Sequence, residues 1–238
     1  LIIECCKTTQ DELAIHNLVS NIADWNQFIS LSYSHGIFPF IYQTLKEYRD
    51  IVSENILASM KSYNLGIAKQ NMQMTVELIK LMKILEENNI DAISFKGPTL
   101  SQQAYGNILL RQYCDLDIFI NKSDKLNVLE LLYKNGYIPL LQTESNIWSK
   151  YSNETTLRNN DVLLELHWSM FDVDHPISMS NINFLDEKNN VLVNNQHLLT
   201  MSNEKLLVYL CVHGSKHLFE RIEWINDIHK FIESQNIN

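Results

Sequence analysis

Residues 95–120, FKGPTLSQQAYGNILLRQYCDLDIFI, decide how this chain is read, because they close on Asp115-Leu116-Asp117 inside an apolar run with strand character. Side chains two apart on a strand share a face, so both carboxylates point the same way. Upstream, Lys96-Gly97-Pro98 is a turn between a short strand candidate at 90–95 and a helix expected over 98–105 and ending at Gly106. Arg111 stands between that turn and the acids. Two acids on one face repel unless something positive sits with them. Magnesium is one such partner, since it takes a few carboxylates together with water and substrate phosphates. A solvated strand face is the other account, and the Asp-x-Asp spacing by itself leaves both open.

N-terminal to this stretch, residues 11–87 place apolar side chains at three- and four-residue steps, with a break at Gly36 and Pro39, and predict helices. The longest is expected over about 52–87, where Met60, Tyr63, Ile67, Met72, Met74, Leu78, Leu81, Met82 and Leu85 make a broad apolar face for packing on a sheet or another helix. C-terminal to the acids, Ser123 is expected to cap a helix that runs to residue 135 and stops at Gly136. Residues 137–141 read as a strand that Pro139 assigns to a sheet edge. The polar segment 142–161 reads as an insertion or mobile connection.

Residues 162–168, VLLELHW, again alternate as a strand does, with Leu163, Glu165 and His167 on one face. An unpaired Glu165 in an apolar strand would be costly, so it calls for a metal, for an ion pair with His167 or an arginine, or for exposure. Loop formers fill 172–195, and helical spacing returns from Glu204. There His213 and His217 are four apart, with Lys216 between them, but no glutamate stands in the HExxH position and a third zinc ligand is not evident. The order of elements predicts an α+β protein: a helical region at 1–88, a mixed strand-and-helix core at 89–195 and a second helical region at 196–238.

The composition sets limits. The 238 residues are 45% hydrophobic, and 19 basic against 28 acidic side chains give a net charge of -9. That balance argues against holding long nucleic acid by counterion release. Four cysteines without CxxC pairing suggest reduced thiols in a cytoplasmic protein. No apolar run reaches the roughly 18 residues of a membrane span and no basic-then-apolar leader is present, although Leu1 in place of Met suggests a trimmed start.

Taken together, these residues resemble the nucleotidyltransferase superfamily with a DNA polymerase beta-like palm: strand, glycine turn, helix, an acid-x-acid strand and a third acid on a later strand. More closely, the chain is similar to a bacterial family of uncharacterised nucleotidyltransferases with the motifs LKGxxL, YG, LR, DLD, ELHW and LxxHGxKHxxxRLxWLxD. The corresponding residues here are FKGPTL, Tyr105-Gly106, Leu110-Arg111, DLD, LELHW and CVHGSKHLFERIEWIND at 211–227, so the agreement runs from about residue 30 onward. The resemblance implies two magnesium ions held by the catalytic acids Asp115, Asp117 and Glu165. It also implies a nucleoside triphosphate, ATP foremost, bound by Lys96, Gly97, Thr99, Arg111, His213, Lys216 and His217. The expected reaction moves a nucleoside monophosphate to a hydroxyl of a small-molecule, peptide or protein acceptor. Two departures stand out: Pro98 occupies the place of the superfamily's turn serine, and the histidines often seen before the ELHW strand are absent from KYSNETTLRNND. A catalytically inactive nucleotide-binding or scaffold protein on the same fold is the alternative, and a zinc protein built on His213 and His217 a third.

Overall fold

The structure is a computed structural model, and it describes residues 1–140, 152–170 and 182–235. Five helices come first: α1 (Ile2–Cys6), α2 (Glu12–Ser20), α3 (Trp25–Ser34), α4 (Phe38–Leu45) and α5 (Glu54–Glu87). Asp11 and Asp24 start α2 and α3 by accepting hydrogen bonds from free backbone N–H groups of the first turn. The 34-residue α5 serves two cores at once. Its Met60 and Ile67 pack with the preceding helices, whereas Met74, Leu78, Leu81, Met82 and Leu85 pack on the sheet. Tyr63 and Met72 of the expected apolar face are instead 55% and 58% exposed. Met72 sits roughly a third of a turn off the buried stripe at about 100° per residue.

The central sheet contains β1 (Ala92–Ser94), β2 (Asp115–Ile120), β3 (Ile138–Pro139), β4 (Glu154–Asn159) and β5 (Val162–His167), in the order β1-β2-β5-β4-β3. Only β2 and β5 run parallel; the other neighbours are antiparallel. Between the strands lie α6 (Gly97–Tyr105), which ends on Gly106, and α7 (Lys125–Lys134). A separate hairpin, β6 (Asn189–Val193) and β7 (Gln196–Thr200), leads into α8 (Asn203–Lys216) and α9 (Ile222–Ser234). Pro139 falls on the edge strand, where its missing N–H costs no ladder bond.

Three expectations need correction. The polar segment read as an insertion contains β4, which lies between β5 and β3 and joins β5 through the two-residue turn Asn160-Asp161, with Asn160 at φ 51. Asparagine tolerates that conformation, which is what lets so short a turn reverse the chain; residues 141–151 lie outside the described residues. Similarly, β6 emerges from the loop-rich stretch by way of Asn194-Asn195, both at positive φ. Ser123 does not cap α7, because it sits inside a 3-10 turn (Lys122–Asp124) and Asp124 occupies the cap position.

One sheet face, formed by Leu116, Ile118, Ile120, Leu157, Leu164 and Leu166, is covered by α5 and α7. Beyond β1, Phe95, Phe119, Leu206, Leu210 and Phe231 form a second cluster that binds α8 and α9. The N-terminal helices also reach α9: His35 accepts from the Glu223 N–H at 3.1 Å through its carbonyl, and from the Ile222 N–H at 3.3 Å through Nδ1. Gly36 follows at φ +71, and a side-chain carbon built on it would lie 1.5 Å from Glu223 Oε2. Left-handed backbone costs a non-glycine residue about 1–2 kcal/mol. Gly36→Ala should therefore lose at least about 1–2 kcal/mol in urea unfolding, since Glu223 must also be displaced; an unchanged midpoint would show that the junction yields freely.

Candidate active site

The acids gather because of strand register. On the parallel pair Asp117 is opposite Glu165 and Phe119 opposite His167, while across the antiparallel pair Glu154 is opposite His167. Opposed residues share a face, so three adjacent strands deliver Asp115, Asp117, Glu165, His167 and Glu154 to one side of the sheet. Asp117 is 1% exposed. Its Oδ1 lies 2.6 Å from Lys96 Nζ and 3.3 Å from His167 Nε2. Both cations thus meet Oδ1, and Oδ2 is left with no hydrogen-bond donor. His167 Nε2 is also 3.6 Å from Glu165 Oε2, and its Nδ1 is 2.9 Å from Glu154 Oε2.

Charge follows geometry. Burial alone would raise the Asp117 pKa, but the Lys96 charge and His167 outweigh it and hold the carboxyl well below the usual range. Burial likewise opposes a charged His167, yet Asp117, Glu154 and Glu165 push it up to about 10, so the ring is a cation at neutral pH. Burial also opposes the Lys96 ammonium, which Asp117 nonetheless holds far above its ordinary value. Asp115, at the mouth of the strand, is raised to about 6 by burial and then by Asp117.

These side chains line one wall of a cavity of about 430 Å³ whose far wall is built by α8, α9 and the loop before β2. Ligating atoms of Asp117, Glu165 and His167 lie within 4.8 Å of one another, close enough for one metal ion. Asp115 lines the same cavity but is not in that group. A buried carboxylate with one oxygen free of donors, beside a second carboxylate, is a hard-oxygen donor set of the kind magnesium takes.

Of the residues expected to bind nucleotide, Lys96, Arg111, His213, Lys216 and His217 line the cavity. Gly97 and Thr99 do not. Gly97, at φ +53, tucks against the Asp115 carbonyl, where an added side-chain carbon would come within 3.4 Å, and the buried Thr99 donates its hydroxyl to Ser94 Oγ at 2.8 Å. Arg111 pairs with neither Asp115 nor Asp117; its Nε donates to Asp227 Oδ2 at 2.9 Å. His213 stacks on Tyr209 and approaches His217 and Trp224. Burial, with Lys96 adding to it, lowers the His213 pKa to about 3 and keeps the ring neutral.

Sequence reasoning did not find Glu154, Tyr209, Glu223 or Asp227 as parts of this wall. Glu154 had one available signal, the Thr155-Thr156-Leu157 β-formers ahead of an Asn-Asn-Asp turn. Asp227 was visible only as the last residue of the late motif.

A mixed sheet that presents Asp-x-Asp on one strand and a third acid in register on its parallel neighbour defines a nucleotidyltransferase of the polymerase beta-like fold. The chain belongs to the family described as uncharacterised nucleotidyltransferase, whose model matches residues 21–238. Among solved structures it is similar to ANT(2")-Ia in complex with adenylyl-2"-tobramycin, with TM-score 0.51 and 11% identity over 68% of this chain and 89% of that one. It is also similar to the lincomycin-bound lincosamide antibiotic adenylyltransferase LnuA, with TM-score 0.48 and 16% identity over 67% and 96%. A further match is an antigenic nucleotidyltransferase-like protein from Paracoccidioides brasiliensis, with TM-score 0.45 and 17% identity over 67% and 75%. No curated protein matches the chain. Among the described residues no helix is long and apolar enough to cross a membrane.

The second acid system in the cavity wall yields a pH prediction. Burial raises the Glu223 carboxyl from 4.5 to about 7, helped by Asp227 and opposed by Arg111 and Arg221. Between those values the folded chain holds a proton that the unfolded chain has released, so this group's contribution to stability falls as pH rises through the window. Glu223→Gln cannot ionise. Its melting temperature should therefore fall less than that of the wild type between about pH 5 and about pH 8; parallel curves would contradict the assignment.

Proposed function

We propose that the chain catalyses magnesium-dependent transfer of a nucleoside monophosphate from a nucleoside triphosphate, ATP foremost, to a hydroxyl of a small-molecule, peptide or protein acceptor. The observation that carries this reading is the buried Asp117 carboxylate, whose Oδ2 has no hydrogen-bond donor and which stands in register with Glu165. Asp115, Asp117 and Glu165 would hold the magnesium, two ions in the full reading, with His167 beside them. Bound there, the metal neutralises triphosphate charge and favours in-line displacement of pyrophosphate.

The chain's own groups supply the rest. Lys96 and Arg111 bring fixed positive charge to the phosphates. Glu165, or Asp117 itself, would take the acceptor's hydroxyl proton; the greater exposure of Glu165, 28% at its side chain where Asp117 is 1%, favours Glu165. His167, protonated and anchored by Glu154, keeps the carboxylates from repelling one another before substrate arrives. His213, His217 and Trp224 offer ring faces for a base or an acceptor. A cavity of about 430 Å³ and a net charge of -9 favour a compact acceptor over a long polynucleotide.

A specific observation favours the second reading, a nucleotide binder without chemistry: Pro98 replaces the turn serine, and Thr99, the nearest hydroxyl, is committed to Ser94. Labelled triphosphates with magnesium and a cell extract as acceptor pool decide between them. Transfer with release of pyrophosphate is expected from the wild type, and Asp117→Asn should lower it by at least about 100-fold. Equal transfer by Asp117→Asn would sink the assigned role. Tight nucleotide affinity without magnesium and no pyrophosphate from any acceptor would establish the binder.

A further inference from the structure

Asp227 has no place in the chemistry above, yet its carboxylate is 1% exposed and fully engaged. Its Oδ2 accepts from Arg111 Nε at 2.9 Å, and its Oδ1 accepts from the Tyr105 hydroxyl at 2.8 Å. Tyr105 in turn accepts from Asn226 Nδ2 at 3.0 Å. The end of α6 and the loop before β2, neighbours in sequence, thus meet the distant middle of α9 at one carboxylate. They are the Tyr-Gly, Leu-Arg and terminal Asp motifs of the late and central segments.

The consequence concerns Arg111. Its guanidinium is 8% exposed at the side chain and lies in the cavity wall. Among the described residues it is bonded through Nε alone. A guanidinium carries five N–H donors in a planar fork, so the two Nη groups keep four that require acceptors. The arginine is also held at its backbone: Asn71 Nδ2, from α5, donates to the Arg111 carbonyl at 2.8 Å and to the Ile108 carbonyl at 2.9 Å. Clamped at both ends, the side chain leaves its Nη edge without a protein hydrogen bond among the described residues, and that edge suits an anionic group that offers two oxygens side by side, as phosphate does.

We propose that Asp227, steadied by Tyr105, is a positioning residue that orients the Arg111 guanidinium so that its Nη edge binds the phosphates of a nucleoside triphosphate. The proposal rests on the nucleotidyltransferase reading of the cavity. A purely structural ion pair between α9 and the loop would predict a change in stability alone, because a buried pair is a weak device for affinity unless a ligand completes it.

The test is calorimetric titration of the full chain with a non-hydrolysable ATP analogue plus magnesium, and separately with adenosine. Asp227→Asn should weaken triphosphate binding by about tenfold or more, the loss expected of charge-assisted hydrogen bonds. Adenosine affinity should stay unchanged. Tyr105→Phe, which keeps the Asp227 charge and removes one of its hydrogen bonds together with the one Tyr105 accepts from Asn226, should produce a smaller loss in the same direction and serves where Asp227→Asn fails to fold. In an Arg111→Lys background, neither second substitution should weaken triphosphate binding further. Full additivity there, or an unchanged triphosphate affinity in a folded Asp227→Asn, overturns the positioning role while leaving the nucleotidyltransferase reading intact. A wild type that binds no triphosphate with magnesium overturns both.

Discussion

A carboxylate at 1% exposure is costly to leave charged, and the architecture around β2 can be understood as the means of keeping Asp117 ionised there. Lys96 must come from the turn after β1, which requires β1 to pair with β2. His167 must come from β5, which requires the parallel β2–β5 register. His167 must itself be held charged, and Glu154 does this from β4 across the antiparallel pair. Three strand pairings therefore converge on one ion cluster. Because alternation ties the two faces of the sheet together, the same pairings place Leu116, Ile118, Leu164 and Leu166 in the core under α5. A one-residue slip of β5 would exchange these sets, exposing leucines and burying unpaired acids.

That coupling explains what could be read before the structure was known. Period-two alternation at 115–120 and 162–168 is a local property, and it identified the shared faces of Asp115 with Asp117 and of Glu165 with His167 correctly. Which strands lie side by side is non-local, and nothing in the alternation of β4 marked Glu154 as a partner of His167. Its polar sequence concealed a strand because its outward positions are solvated and its hairpin turn uses Asn160 instead of glycine. Arg111 illustrates the same limit. Asp115 and Asp117 are the acids nearest to it in sequence, but the bonded acid is 116 residues away. The Lys-Gly-Pro turn was recognised as a strand-to-helix junction, while its contribution to the cavity reduces to Lys96, since Gly97 packs on backbone and Thr99 on Ser94.

The helical regions finish the site. α5 does so through Asn71, which with Thr75 is a buried polar interruption of the apolar stripe and whose amide fixes the loop that carries Arg111. An apolar residue there would leave the Arg111 carbonyl without that donor and the Ile108 carbonyl with only the Tyr113 hydroxyl at 3.2 Å. α9 does so through Asp227 and Glu223, and Glu223 in turn occupies the space that Gly36 leaves free at the α3–α4 junction. The far wall of the cavity therefore depends on contacts from α3, α5 and α9, and the apolar clusters cross between elements in the same way: α5 shares one with the sheet, and α8 and α9 share another with Ile93, Phe95, Leu100 and Phe119.

The charge arrangement of the closed network also bears on how a triphosphate could enter. Lys96 and His167 already face Asp117, and Arg111 already faces Asp227, so the cavity holds its cations without an external counter-ion. In the proposed reading a triphosphate would enter by an exchange of partners: Asp117 and Glu165 would hold the metal that neutralises its charge, the Lys96 ammonium would turn from Asp117 to phosphate, and the Arg111 Nη groups would meet phosphate without leaving Asp227. Exchange avoids the desolvation that burying new, unpaired charge would require. It also assigns different duties to the two cations. In the proposed reading Lys96, on a flexible stem in contact with Asp117, would be the group free to move, and Arg111, held by Asp227 and Asn71, would set where the phosphates lie.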